Sequence, residues 1–121
     1  MSTPDQLAVA SLWGYAERCA AKKIPVDEAV AGLRAITTRP DLLAQAAGVM
    51  SGSAGPLPGE RRWRIDAARL LVQAGADREQ LPRWIRQGRT NVEHGLGWST
   101  GQEWPDDLDQ VLAEVLEGLN P

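Results

Sequence analysis

Apolar residues recur every three or four positions along most of this chain, the spacing of an amphipathic helix. In residues 4 to 22 the repeat is carried by Ala8, Leu12, Ala16 and Cys19, flanked by Val9, Trp13 and Ala20. Thr3 stands where a cap is wanted, Pro4 falls in the first turn, Lys22 and Lys23 suit the negative end, and Pro25 stops the helix. Val26, Ala29, Val30, Leu33 and Ile36 form a second stripe, and Pro40 opens a third containing Leu42, Leu43, Ala46, Ala47 and Met50. The Gly-, Ser- and Pro-rich stretch 51–59 then breaks the pattern and is expected to be a flexible connection.

Periodicity resumes at 60 to 74 with Trp63, Ala67, Leu70, Leu71 and Ala74, and Gly75 stands at the C-terminal cap. Asp77 followed by Gln80 is a capping-box variant leading into a fifth helix with Leu81, Trp84, Ile85, Gly88 and Val92. Residues 94 to 104 read as an irregular loop. The last stripe, over 106 to 119, is the clearest of all, and its Leu108, Leu112, Val115 and Leu119 face is expected to dock on the rest.

No segment alternates as a half-buried strand would, so the pattern predicts an all-α fold, a compact irregular bundle of five or six helices forming one domain over residues 1–121. Gly14, Gly32, Gly48 and Gly88 inside predicted helices point to close helix crossings. Composition agrees: 43% of residues are hydrophobic, Ala and Leu dominate, and Phe is absent. Cys19 is the single cysteine, excluding an internal disulfide and any thiolate cluster, and the first thirty residues hold neither a signal peptide nor a membrane span. A cytoplasmic protein without membrane attachment is expected.

The net charge of −3 conceals a segregation. Residues 1–59 balance five basic against five acidic residues, 60–89 carry eight arginines against four acids, and 90–121 carry seven acids and no Lys or Arg. Either these surfaces pair inside the fold or the basic one meets a partner. The candidate contact residues are Arg62 and Arg69 on the fourth helix and Arg83, Arg86 and Arg89 on the fifth, all expected off the apolar stripes.

Chemistry is sparse. His94 is the only histidine, no metal-ligand spacing exists, and Gly95-Leu96-Gly97 lacks the strand and the Lys of a phosphate loop, so no metal and no cofactor is expected. Glu93 is adjacent to His94 and poorly placed to orient it as a base. Trp13, Trp63 and Trp84 lie on apolar stripes as core anchors, whereas Trp98 and Trp104 bracket a glycine-rich loop that, with His94, could line a pocket or an interface.

One local motif stands out. Asp66-Ala67-Ala68-Arg69-Leu70-Leu71 with Arg83-Trp84-Ile85-Arg86-Gln87-Gly88-Arg89 resembles the two helices of an excisionase-like or MerR-like helix-turn-helix, over about residues 66–89. The resemblance implies DNA binding, with Arg83, Arg86 and Arg89 at phosphates or bases. The connection from Val72 to Pro82 is longer than the turn of those families, and the segment after Arg89 is acidic. The sequence thus favours a non-enzymatic interaction or regulatory module that binds a protein partner or itself. A DNA-binding protein is the alternative and a small metal-free enzyme the third reading.

Overall fold

The computed structural model describes residues 3–54, 58–94 and 107–119. Among them the chain forms α1 (Pro4–Lys22), α2 (Val26–Ile36), α3 (Pro40–Gly52), α4 (Pro58–Gln73), a 3-10 turn at Arg78–Gln80, α5 (Leu81–His94) and α6 (Leu108–Leu116). The fold is all-α, as the periodicity predicts. None of these helices is long and apolar enough to cross a membrane.

Local chemistry sets the boundaries. The Thr3 hydroxyl accepts from the Gln6 amide while the Gln6 side chain accepts from the Thr3 amide, a complete capping box. Asp77 caps the 3-10 turn by accepting from the Glu79 amide, and its own amide donates to the Pro40 carbonyl, tying this turn to the start of α3. Gly75, at φ 120°, supplies the positive-φ position that ends α4.

Helix α3 is the hub. Leu42, Leu43, Ala44, Ala46, Ala47, Gly48, Met50, Ser51 and Gly52 are all buried, so most of its circumference is covered, and α1, α4, α5 and α6 all pack on it. Its tightest neighbour is α5. A Cβ at Gly48 would overlap that of Trp84, one at Gly52 would strike the Ile85 carbonyl, and one at Gly88 would strike the Val49 carbonyl. Gly32 likewise makes room for the Tyr15 ring, but at Gly14 the nearest group is the end of Arg18, at an ordinary 3.5 Å. Close crossings therefore occur at three of the four glycines expected, and at Gly52 in addition.

Gly52 was hidden by the expected flexible connection. α3 continues through Gly52 and α4 starts at Pro58, so the non-helical part is shorter than 51–59; residues 55–57 lie outside the described residues. The cause is burial: Ser51 turns its hydroxyl back to the Ala47 and Gly48 carbonyls, at 2.8 and 3.2 Å, and Gly52 is pressed on α5.

The indoles expected as core anchors are instead partly buried, and two of them span helices. Trp13 Nε1 donates to the Ala46 carbonyl at 2.9 Å and Trp63 Nε1 to the Glu17 carbonyl at 3.2 Å. The expected face of α6 packs on the core, Val115 fully buried and Leu108, Leu112 and Leu119 half-buried, but Val111 is fully buried as well and Leu116 half-buried. The short β-branched residues point at the bundle and the leucines flank them.

Arg39, just before α3, donates to Asp41 at 2.7 Å and to Asp5 at 2.9 Å. The hydrogen bond from Arg39 holds the Asp41 carboxyl below its ordinary 3.8. A depressed folded-state value means that this contribution is complete above the ordinary value and is lost as pH falls through the lowered one. Arg39→Ala should move the Asp41 carboxyl resonance titration upward toward 3.8, read by carbon-detected NMR.

Two alanine substitutions test the crossing. Gly52→Ala must displace the α5 backbone, so a loss of about 1 to 3 kcal/mol is expected in urea denaturation. Gly59→Ala, whose Cβ would meet nothing within 4 Å, should be neutral or stabilising by up to about 1 kcal/mol. Equal effects at both positions would remove the close crossing as an explanation.

Candidate interaction surface

The end of α3 creates an electrostatic problem that its neighbours solve. Its last turn carries no basic residue, and the Gly52 carbonyl lies buried where water cannot satisfy it. Arg89 on α5 reaches across the crossing, and its Nε donates to that carbonyl at 3.0 Å. This guanidinium is 4% exposed, so it needs a counter-charge. Asp107, the residue before α6, provides one: its Oδ1 lies 3.0 Å from Arg89 Nη1 and its Oδ2 2.9 Å from Arg61 Nη1 of α4. Arg61 Nη2 in turn holds Glu114 Oε2 of α6 at 2.8 Å.

Arg69, two turns beyond Arg61 on α4, donates from Nη1 to the Glu114 backbone carbonyl at 2.9 Å. That carbonyl belongs to the last turn of α6, which also lacks a basic residue. Arg61, Arg69 and Arg89 thus bind one acidic helix at both ends. Because the Asp107 carboxylate turns to the arginines, it makes no side-chain cap on its own helix.

Of the candidate contact residues, these positions sort into two groups. Arg69 and Arg89 are engaged inside the fold, and the expectation that Arg89 lies on an exposed side is corrected: the α5 stripe is wide enough at Gly88 and Arg89 to turn both toward α3. Arg62 is exposed and pairs with Asp66 one turn on, at 3.4 Å. Arg83 and Arg86 are exposed on α5. The Arg83 guanidinium lies over the Trp84 ring, 4.6 Å from its centroid, and the buried Nε1 of that indole has no hydrogen-bond partner among the described residues. The His94 backbone ends α5, and Trp98 and Trp104 lie outside the described residues.

Between α4 and α6 runs a groove of about 580 Å³ lined by Arg61, Arg62, Ile65, Asp66, Arg69, Glu114, Glu117 and Gly118. Its walls carry three arginines and three carboxylates, and Ile65 is its buried apolar residue. Arg61 and Asp107, which organise it, were not singled out in the sequence. The signal was present as the basic segment followed by the acidic one, but charge totals do not say which residues meet.

The protein is therefore an all-α bundle whose last helix is fastened by arginines. Comparison with protein-family models, curated proteins and solved structures finds no match.

Two substitutions grade this fastening. Asp107→Ala leaves a buried guanidinium without its carboxylate, and a loss of about 3 to 5 kcal/mol is expected. Arg62→Ala, at an exposed pair, should cost no more than about 1 kcal/mol. Chemical denaturation followed by circular dichroism reads both, and equal small losses would mean that the buried pair organises nothing.

Proposed function

We propose that the chain is a non-enzymatic protein-interaction module whose partner-facing surface is the outer side of α5, with Arg83 and Arg86 and the Arg83–Trp84 pair at its centre. The observation that carries this reading is the sorting of the arginines. Arg61, Arg69 and Arg89 are held by Asp107, Glu114 and helix-end carbonyls, whereas Arg86 has no ion-pair partner among the described residues and Arg83 covers an indole. Arginine and tryptophan side by side form the side-chain set that most often dominates binding energy at protein interfaces.

The helix-turn-helix alternative is less well supported. Both α4 and α5 pack mainly on α3, and Arg89, one of the three cations that reading needs, is buried. The nearby carboxylates of the C-terminal segment add repulsion toward phosphate.

Arg83→Glu combined with Arg86→Glu should leave helix content intact and cost no more than about 1 kcal/mol, most of it from losing the Arg83 guanidinium over Trp84. Affinity chromatography on the immobilised wild-type chain, with the double variant as control, should retain a defined partner only on the wild type. Duplex DNA titrated from low to physiological salt should bind weakly and without sequence preference. Tight, sequence-dependent duplex binding that disappears in the double variant would overturn this reading in favour of the helix-turn-helix.

A further inference from the structure

Where α1 gives way to α2 the chain makes a tight closure. The Ile24 amide donates to the Cys19 carbonyl at 3.0 Å, and Lys23 takes a left-handed conformation at φ 54°. Glycine holds such a position without strain, so a lysine there is maintained against the local preference of the backbone. Pro25 then leads into α2, whose first residue, Val26, is 47% exposed, one of two large apolar side chains left this open among the described residues.

Between this turn and α4 lies a hollow of about 210 Å³. Cys19, Ala20, Ile24, Val26 and Leu70 form its apolar side, and Lys23, Asp66, Arg69 and Gln73 its polar rim. Lys23 is exposed and makes no ion pair among the described residues. Arg69 is held by one nitrogen, Nη1, which donates to the Glu114 carbonyl at 2.9 Å, while its Nε and Nη2 make no hydrogen bond among the described residues. A guanidinium fixed in this way, with the rest of its fork open, is preorganised for the two oxygens of a carboxylate. Asp66, the carboxylate of the rim, faces Arg62 at 3.4 Å, so the cations of the hollow exceed its anion. The neighbouring α4–α6 groove shares Asp66 and Arg69, but its charges balance and specify no sign of ligand.

We propose that the hollow between the α1–α2 turn and α4 is a binding site for a small carboxylic acid with an apolar body. The carboxylate meets Arg69 and Lys23, and the body lies on Ile24, Val26 and Leu70. An apolar wall with a few placed polar groups is the usual make-up of a small-molecule site. The site is independent of the α5 surface, since neither Arg83 nor Arg86 lines it.

Octanoate serves as the probe, with octylammonium, octanol and acetate for comparison. In titrations followed by amide NMR, octanoate should shift resonances in residues 19–26 and 66–73. It should bind at least about fivefold more tightly than octylammonium or octanol, and acetate should not saturate. Two variants disable the site while respecting the fold. Lys23→Gly puts glycine at the left-handed position, and Val26→Asp adds an acid to the first turn of α2, so both should keep helix content and thermal stability. Lys23→Gly should weaken octanoate about threefold to fivefold. Val26→Asp should weaken it further, because it removes an apolar contact and repels the carboxylate. Arg83→Glu/Arg86→Glu should bind octanoate as wild type does, which separates this site from the α5 reading. Equal affinity for octanoate and octylammonium, shifts confined to other parts of the bundle, absence of saturable binding, or an affinity unchanged in both Lys23→Gly and Val26→Asp would overturn the site.

Discussion

Two helices cross with backbones in contact only where neither presents a Cβ to the other, and the meeting of α3 with α5 is such a place. Gly48, Gly52 and Gly88 remove the side chains that would hold the axes apart. The close approach has a consequence for polarity. It carries the end of α3 away from water, so the Gly52 carbonyl must find a donor within the protein. Arg89 is one turn beyond Trp84 and Ile85 on the helix already pressed against that carbonyl, and it supplies the donor. A buried cation then demands an anion, Asp107 answers it, and the start of α6 is fixed as a result. The position of α6 thus follows from glycines on two other helices, α3 and α5.

The same need recurs through the fold. α1 and α2 carry their own basic residues in the last turn, Lys22 and Arg34. α3, α4 and α6 carry none, and each has an arginine from another helix at its C-terminal end: Arg89 on Gly52, Arg34 on Ala74 and Arg69 on Glu114. Cations at that end satisfy orphan carbonyls and oppose the negative end of the helix dipole together. Arginine suits the task better than lysine, since its planar fork can serve a carbonyl with one nitrogen and a carboxylate with another. Among the described residues the basic middle meets the acidic end where Arg61 and Arg89 pair with Asp107 and Glu114.

The elements were legible because their signals are local. Thr3-Pro4-Asp5, Pro25, Pro40, Gly75 and the Asp77-Gln80 pair mark boundaries through the chemistry of the adjoining residues. What failed required knowledge of distant neighbours. Ser51 and Gly52 look like the start of a linker by composition, and only the buried face of α5 makes them helical. Arg89 looks like a surface charge because a period of 3.6 residues says which side it occupies but not how wide the covered side is. The order of depth on the docking face of α6 was hidden in the same way: its stripe includes both valines and leucines, and the shape of the cleft decides that Val111 and Val115 go deepest. The candidate surface was half legible, with Arg69, Arg83 and Arg86 identified by type and the partners of the internal ones invisible.

The fastening of α6 illustrates how buried charge divides specificity from strength. Relative to a well-packed apolar seam, an ion pair of this kind adds little net stability, since desolvating Arg89 and Asp107 offsets most of their attraction. Its geometric demands are nonetheless severe, for a helix shifted by one residue would break the contacts of Arg61 and Arg89 with Asp107 and Glu114. Strength must then come chiefly from the apolar face: Val111 and Val115, at about 1.5 to 3 kcal/mol for each buried side chain, with Leu108, Leu112, Leu116 and Leu119 packed half-buried beside them. In α6 the apolar face therefore supplies the hold and the buried charges specify the register.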